Sequence, residues 1–171
     1  MIPKATDRLN FRYFKESDLP VVQRINKDPD ATRFVGGVKN DQEIAISMQK
    51  YLNYHKEHPG YGYWFTTLRS SGSFVGFFLV KILIETNETE IGYRLLPDFW
   101  GMGLGTEGAR ALVDHCFQQI GSDKVAAVTH PENLASQKVL EKVGLDFKKY
   151  GQYYQMRCTY YSLTREEWML R

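Results

Sequence analysis

The residues of this chain best suited to chemistry gather in two short segments, Trp100-Gly-Met-Gly-Leu-Gly-Thr-Glu107 and Asn133-Leu-Ala-Ser136, with one predicted strand between them. In the first, Gly101, Gly103 and Gly105 alternate between a predicted strand and a predicted helix. Glycine reaches positive φ without strain and lets a ligand lie against bare backbone. The free N–H groups of the helix's first turn then project outward, and the helix dipole favours an anion there. A diphosphate is the natural guest, although a tight turn with no ligand accounts for the glycines equally well. Two phosphate loops do not fit. No Gly-Lys-Ser/Thr follows, so this is not a P-loop. The Gly-x-Gly-x-x-Gly spacing of a dinucleotide site is broken at Glu107 and Gly108, and Lys124-Val-Ala-Ala-Val-Thr129 offers no acidic residue for a ribose. In the second segment Asn133 can cap a helix and Ser136 can close the cap. The same polar groups can reach a ligand lying between two helices.

The elements that must position these groups follow from periodicity. Leu9–Phe14 alternates and reads as a strand. Ser17, with Pro20 in the first turn, opens a helix through about Asn26. Asp28-Pro-Asp-Ala31 is a break. Asn40 to Glu43 begins a second helix running to about His55, with Ile44, Met48, Tyr51 and Leu52 on one face. Three strands follow, Tyr63–Leu68, Phe74–Ile84 and Glu90–Leu96, whose short connections predict an antiparallel meander. Ala109, Leu112, Val113, Cys116, Phe117 and Ile120 have helical spacing, and Gly121 stops that helix. After the strand Lys124–Thr129 comes a helix from Asn133 to Val143, then strands Leu145–Tyr150 and Arg157–Leu163. The order β-α-α-β-β-β-α-β-α-β-β predicts an α/β (α+β) fold, with about four helices flanking a mixed, twisted sheet of about seven strands, partly parallel in its C-terminal half.

Composition sets the outer limits. A chain of 171 residues buries roughly 70% of its unfolded surface. The net charge of +2 implies no strong field for nucleic acid. Cys116 and Cys158 cannot build a disulfide framework or a zinc cluster, and Cys116 reads as a buried free thiol. Met1–Arg8 lacks the apolar core of a signal peptide, and no apolar run approaches the roughly 20 residues of a membrane span. A soluble, cytoplasmic protein is expected, without membrane or metal.

With these motifs placed, the sequence resembles the GNAT N-acetyltransferases, and within them the RimJ/RimL-like branch of ribosomal-protein N-terminal acetyltransferases. Trp100 departs from the superfamily motif, which begins with Arg or Gln. Phe99 to Gly108 instead matches the branch pattern Tyr/Phe-Trp-Gly-x-Gly-x-Ala/Gly-Thr-Glu-Ala closely. Glu90-Ile-Gly-Tyr93, Asn133-x-x-Ser136 with Val139 to Leu145, Tyr161 to Trp168, and Leu9-x-x-Arg12 with Glu16-x-Asp18 are also similar to that branch, in its order along nearly the whole chain.

The resemblance implies a single acetyl-CoA-dependent N-acetyltransferase domain over residues 1–171, with the donor in a split between two parallel strands. The backbone at Leu95 and Leu96 would pair with the pantetheine arm. The N–H groups along Trp100, Gly101, Met102, Gly103, Leu104, Gly105 and Thr106 would cradle the pyrophosphate, and Asn133 and Ser136 would meet the arm from the other side. Glu90 would be the base, through water, unless it is only a solvated strand-edge residue. A backbone N–H near Leu95 would stabilise the oxyanion. Leu140 replaces a tyrosine that often protonates the leaving thiolate. Ser136 is the candidate in its place, with Tyr153, Tyr154, Tyr160 and Tyr161 as others. The implied acceptor is a primary amine on a small molecule or a peptide or protein N-terminus, in a pocket for which Phe34, Tyr61, Tyr63, Trp64 and Tyr153 are available; the same aromatics could equally form core. The protein would be a monomer or homodimer. A CoA-binding sensor without catalysis is the alternative, supported only by Leu140.

Overall fold

The computed structural model describes residues 1–171 and contains seven strands and six α-helices. The strands are β1 Leu9–Tyr13, β2 Gly62–Leu68, β3 Phe74–Leu83, β4 Glu88–Leu95, β5 Lys124–Thr129, β6 Asp146–Tyr153 and β7 Met156–Thr164. They form one sheet in the order β1-β2-β3-β4-β5-β7-β6. The meander β2-β3-β4 is antiparallel as its short turns require, and only β4 and β5 run parallel. The expected mixed α/β sheet is therefore present, with its parallel part confined to one pair.

The helices are α1 Leu19–Lys27, α2 Pro29–Thr32, α3 Asp41–Glu57, α4 Leu104–His115, α5 Leu134–Lys142 and α6 Arg165–Met169. Asn40 and Glu43 make the capping box that opens α3. Three expectations need correction. Ser17 does not cap α1: Glu16–Asp18 curls into a 3-10 turn, and α1 starts after Asp18. The supposed break at Asp28 holds the short α2, because the Asp28 carboxylate accepts from Ala31 N–H and Pro29 suits a first helical position. The chain ends in α6, where Thr164 and Glu167 form a second capping box. There are thus six helices against about four expected. After His115, α4 continues as a π turn over Cys116–Ile120, ended by Gly121 at φ +81°.

Strand alternation divides most of the buried side chains between two main cores, beside a smaller cluster around Leu83, Tyr153 and Tyr160. On one face α4 and α5 cover Trp64, Phe78, Ile91 and Leu95. On the other α1, α2 and α3 cover Tyr63, Phe65, Phe77 and Leu96. Both cysteines are buried free thiols. No helix is long and apolar enough to cross a membrane.

Candidate active site

The parallel pair is where the sheet opens. β4 and β5 are paired only at Thr89↔Val125 and Glu90↔Ala126. Beyond those residues the strands diverge, while β5 remains paired to β7 through Thr129. Ile91 to Leu95 therefore has a free edge. Leu96 donates its N–H to Val75 of β3, so by the two-residue alternation of strand hydrogen bonds the backbone groups of Ile91, Tyr93 and Leu95 face the split. Trp100 agrees with this: its indole N–H donates to the Leu95 carbonyl at 3.0 Å. The residue that departs from the superfamily motif thus closes one end of the open edge.

A cavity of about 410 Å³ passes through the split. Ile91, Gly92 and Tyr93 form one wall, and Ala127, Val128 and Thr129 the other. It opens toward Asn133, Ser136 and Leu140 on the α5 side and toward Ser47, Lys50 and Tyr51 on the α3 side. Two cosubstrates entering from opposite faces of the sheet could meet in it. Asn133 is the cap of α5, its side chain accepting from Ser136 N–H at 3.2 Å, so its capping role and its place in the cavity wall coexist.

Glu90 is 5% exposed, which rules out a solvated strand-edge residue. Lys81 stands opposite it in the β3–β4 register, with Nζ 3.3 Å from Oε2. The Tyr154 hydroxyl donates to the same oxygen, and Lys81 also lies 4.0 Å from the Tyr154 ring centroid. Burial pushes the Glu90 carboxyl above the ordinary range; Lys81 and the Tyr154 hydroxyl oppose that without cancelling it. Tyr154 sits at φ +53° in the β6–β7 turn, a backbone state few non-glycine residues adopt. Burial and the Glu90 charge push its phenol far upward.

The glycine loop lies at the start of α4, outside this cavity. Gly101 and Gly103 adopt φ of +74° and +78°, and Gly103 is the residue that precedes the helix. The amides from Gly101 to Thr106 have no hydrogen-bond partner, the first bond of the helix running from Glu107 N–H to Gly103 O. A Cβ on Gly105 would meet the Tyr93 ring at 3.3 Å. Tyr93 thus links the loop to the cavity, which its ring lines beside Ser136. Bare amides, an open strand edge and a through-cavity fit a diphosphate-bearing thioester with an extended arm.

Of the residues expected at the site, Glu90, Asn133 and Ser136 come together around the cavity, and Gly101 to Thr106 form a separate open cradle. Trp100 and Met102 are half-exposed at its rim. Leu95 reaches the split through its backbone. Leu96 does not: it is 1% exposed in the other core and its N–H is taken by Val75. The aromatic wall also changes. Phe34 and Tyr63 line the cavity, but Trp64 is fully buried under α4, Tyr61 bonds to Thr89, and Tyr153 stacks on Tyr160. Tyr51, Phe77 and Tyr154 line it instead.

Two contributors had no legible signal. Lys81 is one strand away from Glu90 and carries no motif. Arg8 precedes β1, and its Nε pairs with Glu107 at 2.6 Å while its Nη1 donates to Met102 O at 2.9 Å. Burial pushes the Glu107 carboxyl up, but Thr6 and Arg8 outweigh it and hold it below the ordinary range. The negative charge that Glu107 brings to the cradle is thereby matched by a cation.

Residues 8–146 match the acetyltransferase (GNAT) domain family. The chain is 31% identical over 167 residues to an FsC-acetyl coenzyme A-N(2)-transacetylase of Aspergillus fumigatus, covering 85% of this chain and 69% of that one. It is 32% identical over 152 residues to the uncharacterized protein YkkB of Bacillus subtilis, covering 85% and 86%. The crystal structure of a GNAT-family acetyltransferase from Bacillus anthracis superposes with a TM-score of 0.82 at 22% identity, covering 98% of this chain and 100% of that one. The chain belongs to the GNAT acetyltransferase family, and it is an N-acetyltransferase that takes acetyl-CoA as donor.

Proposed function

We propose that the protein acetylates a primary amine, on a small molecule or a peptide N-terminus, by direct attack while donor and acceptor are both bound. The observation that carries this is the single cavity through the β4–β5 split, which joins Glu90 on one face to Ser136 on the other.

Acetyl-CoA supplies an acetyl group as a thioester, a carbonyl open to an amine nucleophile. The amides from Gly101 to Thr106 hold the diphosphate, assisted by the α4 dipole. The free edge of Ile91, Tyr93 and Leu95 orients the extended arm as an added strand would be oriented. Trp100 holds the Leu95 carbonyl, and Leu95 contributes its N–H. That N–H is aimed where negative charge develops on the carbonyl oxygen, a role worth about 3 kcal/mol.

An amine that arrives as an ammonium must lose a proton. Glu90 takes it through Oε1, since Oε2 already accepts from Lys81 and Tyr154. Burial makes this carboxylate a stronger base than an exposed one. Tyr154 holds Glu90 in place; its raised pKa makes it a poor acid. Ser136 presents a hydroxyl to the leaving group from the α5 wall.

Glu90→Gln tests the reading. Turnover falls by about 10²–10⁴ while acetyl-CoA affinity, measured by calorimetry, stays within twofold. Equal turnover across pH would remove Glu90 from the chemistry.

A further inference from the structure

Charge in the cavity is distributed unevenly. The α3 side and the floor carry Lys39, Lys50, Lys81 and Arg94, against one carboxylate, Glu90. Only Lys81 is paired with it. The whole chain has a net charge of only +2, so the excess of three cations is a property of this cavity and no general bias of the surface.

The three remaining cations have neutral partners. Lys39 donates to Ser47 Oγ at 2.8 Å. Lys50 makes no hydrogen bond and lies 5.6 Å from the Tyr63 ring centroid. Arg94 donates through Nη1 to Asn26 Oδ1 at 2.9 Å, and its buried Nε has no partner. Burial holds Lys39 and Lys50 below the ordinary lysine range; Arg94 lowers Lys39 further and Lys81 lowers Lys50 further, against opposing pulls from Glu43 and Glu90. Like charges facing one another without a counter-ion are costly unless a ligand brings one.

This wall faces away from the glycine cradle. Arg94 and Glu90 project to the α3 face by strand alternation, whereas α4 and its loop cover the other. The donor's phosphates therefore do not account for it.

We propose that the acceptor carries an anionic group, carboxylate or phosphate, beside its amine, and that Arg94, Lys39 and Lys50 hold that group while Glu90 meets the amine. A guanidinium with free donors is suited to binding such an anion, and the same wall repels polyamines. This rests on the amine-acetylating reading above and narrows its acceptor.

The test uses acceptors matched in shape: phenylalanine with 2-phenylethylamine, phosphoethanolamine with ethanolamine, and C-terminally amidated Ala-Asp-Ala with amidated Ala-Asn-Ala, with 1,4-diaminobutane as the polycation. Thiol release gives kcat/KM, and calorimetry gives acceptor affinity for the CoA-bound protein, in which no transfer can occur. The anionic member of a pair is expected to lead by tenfold or more in both readouts. Lys50→Glu is expected to erase that lead, and Arg94→Met to do the same, with denaturant unfolding used to confirm that each variant is folded. Whether the carboxylate or the phosphate pair shows the larger gap identifies the anion. Equal or reversed preference among acetylated amines overturns this inference and leaves the amine-acetylating reading intact. Tight acetyl-CoA binding with no amine acetylated would overturn both.

Discussion

At the scale of single residues, Glu90 shows how environment converts an ordinary side chain into a candidate base. On β4 it is one of two acids, with Glu88. Burial raises its pKa, and Lys81 and Tyr154 limit the rise. A base must be deprotonated, so activity increases as pH rises through this elevated value. The acid limb of kcat is therefore expected above the normal carboxylate range, and a kcat–pH profile measures it. Lys81→Met removes the cation that favours the charged form, so the limb should move to higher pH; an unmoved or lowered limb would sever Lys81 from Glu90. Asp18 shows the opposite balance. Burial pushes its carboxyl up, but Arg12, at 2.7 and 2.8 Å, and the Lys15 amide outweigh it and bring it below the ordinary range. A depressed carboxyl contributes stability above its unfolded pKa, near 3.9, and loses it as pH falls through the folded one. Asp18→Asn should therefore lower stability at neutral pH by about 1–2 kcal/mol and matter less in acid, as denaturant titrations at the two pH values would show.

At the scale of elements, the proposed function assigns the donor's diphosphate to the glycine loop and its extended arm to the β4 edge. Gly103 at φ +78° leaves room for a ligand, since an added Cβ would touch only Arg8, at 3.5 Å. Gly103→Asp adds a carboxylate where a diphosphate must sit, and acetyl-CoA affinity should drop at least tenfold by calorimetry. Gly108 has a different task. A Cβ there would lie 2.1 Å from the Phe78 ring, so its role is to let α4 dock on the sheet. Gly108→Ala should cost about 1–3 kcal/mol of stability, a loss that denaturant unfolding can separate from any change at the cradle. For the β4 edge, hydrogen exchange is the direct measurement. The amides of Ile91, Tyr93 and Leu95 should exchange faster than those of Gly92 and Arg94 in the free protein and become protected when CoA is added.

At the scale of the whole molecule, the split lies between two separately packed cores, one under α4 and α5 and one under α1 to α3. A ligand that spans it joins both layers. Acetyl-CoA at about 100 times its Kd should stabilise the fold by about 2.7 kcal/mol, a rise in Tm of roughly 5–10 °C for a chain of this size. A thermal scan with and without the donor checks this.

The sequence by itself determined the local and repeating features. Alternation and helical spacing marked seven strands and the main helices, and the Gly101–Gly105 run with Asn133 and Ser136 marked the proposed donor site, because these signals depend on near neighbours in the chain. Short helices set by a cap and a proline, such as α2, lay below that signal. Only the tertiary structure decided that β4 and β5 part after Glu90, that Trp64 belongs to a core while Tyr51 lines the cavity, and that Lys81, Tyr154 and Arg8 reach Glu90 and the loop. Those outcomes depend on sheet order and strand register, which join residues distant in sequence. A pKa, a cavity wall or a charge excess exists only once such residues share the same space.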